Sequence, residues 1–157
     1  MAPWACALYA ADFQFWRVYW PEIQRGFRGE CWTVSEQARS KFGLYWIQHA
    51  PDEGLARGPD RINGGGNSGY QAIGLAALFG AARIILLGYD MQQTGGRVHW
   101  HGRHAGGLHN GTHYSRWLPR FAPLALDLAA AGVEVVNCTR ETALRAFPRA
   151  ELRDVLA

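Results

Sequence analysis

Apolar residues fall in short clusters along the chain, and the polar and breaker residues between them set the expected elements. Residues 6–11 (CALYAA) read as a short buried strand. Residues 13–19 (FQFWRVY) follow as a short helix that Pro21 ends, since proline has no N–H to continue the ladder. Residues 31–34 form a strand, Ser35 caps the next element, and residues 36–41 make a short helix. Residues 44–48 are another apolar, aromatic strand. Residues 50–69 are rich in Gly, Pro, Asp and Asn and read as one long loop, with residues 60–63 (DRIN) not reading as a buried strand. A structureless stretch of that length inside a compact domain marks a functional or a disordered loop.

The second half carries stronger patterns. Residues 70–79 predict an Ala- and Leu-rich helix with Gly80 just past its end. Residues 83–87 (RIILL) predict a fully buried strand, and 88–115 a second long loop rich in Gly and His. A helix over 116–131, closed by Gly132, leads to a buried strand over 133–137 (VEVVN). A short helix is expected within 139–147, and a last one from Pro148 to Leu156. Strands separated by helices predict an α/β fold with a parallel sheet covered on both faces.

Composition narrows the class. The 157 residues suit one domain, and 48% hydrophobic against 18% charged residues is enough to bury a core. Cys6, Cys31 and Cys138 are odd in number and include no C-x-x-C, which excludes a disulfide framework and a cysteine zinc finger and suits a reducing, cytoplasmic compartment. Fifteen of the sixteen basic residues are Arg, with Lys41 the exception. Arginine suits two-pronged contacts with phosphate, although a GC-rich genome gives the same bias. The arginines are dispersed, so no nucleic-acid-binding stripe is expected. The most apolar stretch, residues 70–87, is interrupted by Gln71, Gly74, Gly80 and Arg83, and residues 1–11 lack a basic leader, so no membrane association is expected.

Two segments carry candidate chemistry. Gly64-Gly65-Gly66-Asn67-Ser68-Gly69 stands directly before the helix at Tyr70. The first turn of a helix offers N–H groups without internal partners and a partial positive charge, and glycines allow close backbone approach, so an anion can sit there. The run matches G-x-G-x-x-G, and Asp90 at the next strand end is placed as a ribose-binding acid would be. An ordinary helix cap from Asn67 or Ser68 explains the same residues. The second segment, His99-Trp100-His101-Gly102-Arg103-His104 with His109 and His113, groups five of the six histidines. An H-x-H pair can place two imidazoles on one face, but no Cys, Asp or Glu falls within 91–115, so no metal site is expected. One of these histidines could act as a general base, and Trp100 or Tyr114 could stack on a nucleobase. No G-x-S-x-G, Walker lysine or H-E-x-x-H is present.

The segment Gly65-Gly66-Asn67-Ser68-Gly69-Tyr70-Gln71-Ala72-Ile73, continued by Arg83-Ile84-Ile85-Leu86-Leu87-Gly88-Tyr89-Asp90-Met91, resembles a group of small phage and prophage proteins. It is also similar to two Rossmann-like families, the family 42 sialyltransferases and the 6-hydroxymethylpterin pyrophosphokinase-like proteins. Both carry Ser or Thr plus Gly before an Ala-rich helix, then Gly-x-x-x-Ile and a strand ending in Gly-x-Asp. The likeness covers about residues 63–148, including the histidine loop and VEVVNCTRETALRAF. The resemblance implies a Rossmann-like three-layer sandwich with a mainly parallel sheet. It also implies a nucleotide pocket formed by Gly66, Asn67, Ser68, Gly69 and Asp90. Gly65, Gln71, Gly88, Tyr89, Trp100 and His101, in or beside the same loops, are further candidate ligand-binding residues. No cofactor is implied. The sialyltransferase-like members use a CMP-sugar without a metal, with a histidine as base. This chain opens at Met1-Ala2-Pro3-Trp4, where the families' first strand would already have ended.

Two functions follow as expectations. The first is a phage-type protein that binds or sequesters a nucleotide-derived small molecule, such as a cyclic nucleotide or an ADP-ribose-type immune signal, in the host cytosol. Tight binding needs an enclosed pocket, so a homo-oligomer is expected. The alternative is a glycosyltransferase or pyrophosphate-transfer enzyme with Asp90, His99, His101 or His104 as base. A structural assembly role, which needs no pocket, is a third reading.

Overall fold

A computed structural model describes residues 2–96, 108 and 113–157. The chain is a mixed α/β protein whose paired strands are short and largely parallel. The described residues fall into two compact units, residues 2–49 with 108, and residues 50–96 with 113–157.

The first unit is a three-stranded parallel sheet with two helices. Strand β1 (Ala7–Tyr9) pairs with β2 (Glu30–Thr33), and β2 pairs with β3 (Tyr45–Trp46). Helix α1 (Phe13–Gly26) and helix α2 (Glu36–Phe42) pack around Trp16, Ile23, Phe27, Ala38 and Leu44. Ser35 caps α2 by accepting the Ala38 N–H. Helix α1 does not stop at Pro21 but continues through it to Gly26. An interior proline costs about 3 kcal/mol, and here the burial of Trp16 on one side and Ile23 on the other offsets it. Trp16 is wholly enclosed, and its indole N–H donates to the Ala10 carbonyl at 3.0 Å.

The second unit holds the candidate site. Strand β4 (Gln48–Ala50) ends at the start of this unit, and β5 (Arg61–Asn63) is followed by Gly64, whose N–H donates to the Ala50 carbonyl. A strand at 61–63 corrects the expectation of an unbroken loop over 50–69. One apolar residue, Ile62, is enough because it is almost wholly buried, while Asn63 satisfies its amide on the Glu53 and Gly54 carbonyls. Helix α3 (Ser68–Leu78) follows the glycine turn and leads to β6 (Arg83–Leu86).

Strand β6 pairs in parallel with β7 (Glu134–Asn137), placing Arg83 beside Glu134 and Leu86 beside Asn137. Strand β6 is half-buried rather than fully buried, since Ile84 and Leu86 point inward while Arg83 and Leu87 are exposed. The helix expected over 116–131 is three pieces: α4 (Tyr114–Trp117), a 3-10 turn (Leu118–Arg120) and α5 (Phe121–Ala130). Pro119 explains the break, since it offers no N–H to the preceding turn. Residues 139–147 form no helix, and α6 (Leu152–Leu156) is shorter than expected. The core beneath these elements gathers Tyr70, Ile73, Leu86, Phe121, Leu124, Leu128 and Leu144.

Candidate ligand-binding site

The site begins at the glycine turn. Between β5 and α3 the chain reverses at Gly65 (φ 55°) and Gly66 (φ 86°), both left-handed, a region that glycine enters without the Cβ penalty. Asn67 is the N-cap of α3, and its Oδ1 accepts the Tyr70 N–H at 2.9 Å. Its Nδ2 is buried and has no hydrogen-bond partner among the described residues. Ser68 and Gly69 form the first turn of α3, and Gln71 is buried on the same helix.

The glycines face the protein's own side chains. A Cβ on Gly65 would fall within the Tyr70 ring. On Gly66 it would stand 2.8 Å from Arg120 Nη1 and 2.9 Å from Trp117 Cδ1. Arg120 and Trp117 therefore lie against the turn, with Arg120 also paired to Glu53 at 3.3 Å. Gly66 remains exposed on its other side. A Cβ on Gly69 would sit 3.1 Å from the Tyr89 ring, and the Tyr89 hydroxyl donates to the Gly69 carbonyl at 3.0 Å.

That bond ties the helix start to the end of β6. There, Gly88 (φ 75°) and Met91 (φ 50°) are both left-handed and bracket Tyr89 and Asp90. A non-glycine residue held so is strained by roughly 1–2 kcal/mol. The surroundings hold the bend by hydrogen bonds from the segment after β7. Thr139 Oγ1 accepts the Tyr89 N–H at 2.9 Å, Thr142 donates to the Tyr89 carbonyl at 2.6 Å, and the Ala143 N–H donates to the Asp90 carbonyl at 2.8 Å. Asn137, wholly buried, accepts the Thr139 N–H at 3.0 Å and shapes this segment from below. Burial pushes the Tyr89 phenol up to about 12, so it stays protonated and able to donate.

Asp90 opens onto a cleft of about 880 Å³ where β6 and β7 end. Open parallel sheets bind ligands outside the carboxyl ends of their strands. Arg140 and Arg153 line the cleft against Asp90, Glu141 and Glu151, so its formal charge is one negative unit. Thr94 also lines it, with a buried hydroxyl that has no partner among the described residues. Gly65, Gly66, Asn67, Ser68 and Gly69 are not part of this lining.

The structure thus brings Gly69 and Tyr89 together and places Gly88 and Asp90 on the cleft. His99, Trp100, His101 and His104 lie outside the described residues. Among the described residues, no cluster of three or more His, Cys, Asp or Glu could hold a metal ion. No helix of the described residues is long and apolar enough to cross a membrane. Sequence reasoning missed Trp117, Arg120, Asn137, Thr139 and Thr142. A signal existed only for the last three, in the polar run N-C-T-R-E-T directly after an apolar strand. Comparison with protein-family models, curated proteins and solved structures finds no match.

Proposed function

We propose that this chain binds a nucleotide-derived small molecule and sequesters it rather than transforming it. The observation that supports the reading is the Tyr89–Gly69 hydrogen bond, which couples an Asp-tipped strand end to a glycine-turned helix start. In this reading the phosphate end lies at Gly66 and Asn67, where the start of α3 and the Arg120 guanidinium, shared with Glu53, favour an anion. Asp90 in the cleft accepts hydrogen bonds, so in this reading it takes the ribose hydroxyls or a base amino group. Cyclic nucleotides and ADP-ribose derivatives carry both kinds of group, in keeping with the small phage proteins that the sequence resembles. A Rossmann-like three-layer arrangement and a homo-oligomer belong to the same proposal.

Calorimetry with a panel of such nucleotides tests it. Binding tighter than about 10 μM, weakened at least about tenfold by Asp90→Asn and with ligand recovered intact, is the expected result. No binding below about 1 mM overturns the reading, and turnover of a nucleotide-sugar replaces it with the transferase.

A further inference from the structure

A second cavity, of about 470 Å³, lies where β6 and β7 begin and shares no lining residue with the Asp90 cleft. Its volume falls within the usual range for small-molecule sites. Tyr70, Gly74 and Ala77 supply one wall from α3, and Ile62 and Val133 contribute apolar surface. The helix positions 70, 74 and 77 share one face.

Gly74 is the informative residue. It sits inside α3, where glycine is less favourable than alanine. No left-handed backbone requires it. Nor does close packing, since an added Cβ would meet nothing nearer than Ile62 at 3.8 Å, an ordinary contact distance. At this position the glycine leaves the cavity wall without a side chain.

The polar groups of the lining show which end of a ligand goes where. The Tyr70 hydroxyl is committed to the Gly54 carbonyl at 3.0 Å, and the Asn63 amide to the Glu53 and Gly54 carbonyls. Among the described residues of the lining, Arg61 is the only charged side chain, and it is partly exposed and ion-paired with Asp60. Its Nε donates to Asp60 at 3.0 Å, while its terminal nitrogens make no hydrogen bond to a described residue. A guanidinium edge of that kind matches a carboxylate.

We propose that this cavity is a separate binding site for a flat aromatic carboxylate, with the ring against Gly74 and Ala77 and the carboxylate on Arg61. The site does not depend on nucleotide binding elsewhere in the unit.

Naphthalene-2-carboxylate titrated into the full chain by isothermal calorimetry tests it, with the neutral carboxamide as control. The carboxylate is expected to bind with a Kd below about 1 mM and the amide about tenfold more weakly. Arg61→Gln should bring the carboxylate to the amide's affinity. Gly74→Leu should fill the cavity and abolish both. Gly74→Ala, which fits without displacing Ile62, should raise the melting temperature and weaken both ligands, and it decides the matter if the leucine variant does not fold. Equal affinity for acid and amide overturns the proposal. So does undiminished binding by the Gly74 variants, or no heat of binding to about 10 mM carboxylate.

Discussion

The Thr142 hydroxyl donates to the Tyr89 carbonyl at 2.6 Å, joining residues 53 positions apart. The same oxygen accepts the Leu144 N–H at 3.0 Å and lies 3.4 Å from Asn137 Nδ2. One buried atom thus serves the bend that presents Asp90 and the segment that follows β7. Thr142→Val keeps the shape and removes the oxygen, leaving buried partners unsatisfied. Each such group costs about 1–3 kcal/mol, so denaturant unfolding should show a loss of about 2 kcal/mol or more, with Thr142→Ser recovering most of it.

Stability should fall in alkali. Burial pushes the phenols of Tyr89 and Tyr70 up to about 12, against about 10 in an unfolded chain. Between those values the folded state keeps protons that the unfolded state releases, so stability declines as pH rises from about 10 to about 12 and is fully present below. Tyr89→Phe should flatten that decline in a melting-temperature series against pH. An equal decline in the variant would show that Tyr89 does not contribute.

Two left-handed glycines should respond differently to alanine. Gly80 (φ 85°) has nothing within 4 Å of an added Cβ, so Gly80→Ala should cost only the backbone penalty of roughly 1–2 kcal/mol. At Gly65 the Cβ meets the Tyr70 ring, which adds about 1–3 kcal/mol of overpacking to the same backbone penalty. Parallel chemical denaturation of the two variants measures the gap.

Asn67→Asp separates capping from anion binding. The carboxylate can still accept the Tyr70 N–H, and a negative charge at the start of α3 adds about 0.3–1 kcal/mol. It also puts a carboxylate oxygen where the buried Nδ2 has no partner among the described residues, at a cost of about 1–3 kcal/mol that outweighs the dipole gain. Unfolding should therefore show a net loss of roughly 1 kcal/mol, while nucleotide affinity falls because the new charge repels phosphate. Unchanged affinity would remove the glycine turn from the proposed site.

Much of the chain was legible locally. The Ala- and Leu-rich run that became α3, the apolar cores of β6 and β7, and Ser35 as a cap all express preferences of neighbouring residues. So does Asn67, whose short polar side chain before an apolar run is a cap in most contexts.

Tertiary structure decided the rest. Residues 61–63 are a strand because Gly64 bonds to the Ala50 carbonyl and Ile62 finds a core, neither of which the run DRIN displays. Pro21 stays inside α1 because buried Trp16 and Ile23 anchor both of its flanks. Residues 139–147 form a polar turn instead of a helix because Thr139 and Thr142 bond to Tyr89, about fifty positions earlier. Residue order alone determined the periodicity, the caps and the breakers, since these act within one or two turns of chain. The glycine turn's neighbours, the bend that holds Asp90 and the open wall at Gly74 depend on contacts across tens of residues, and those exist only once the chain has packed.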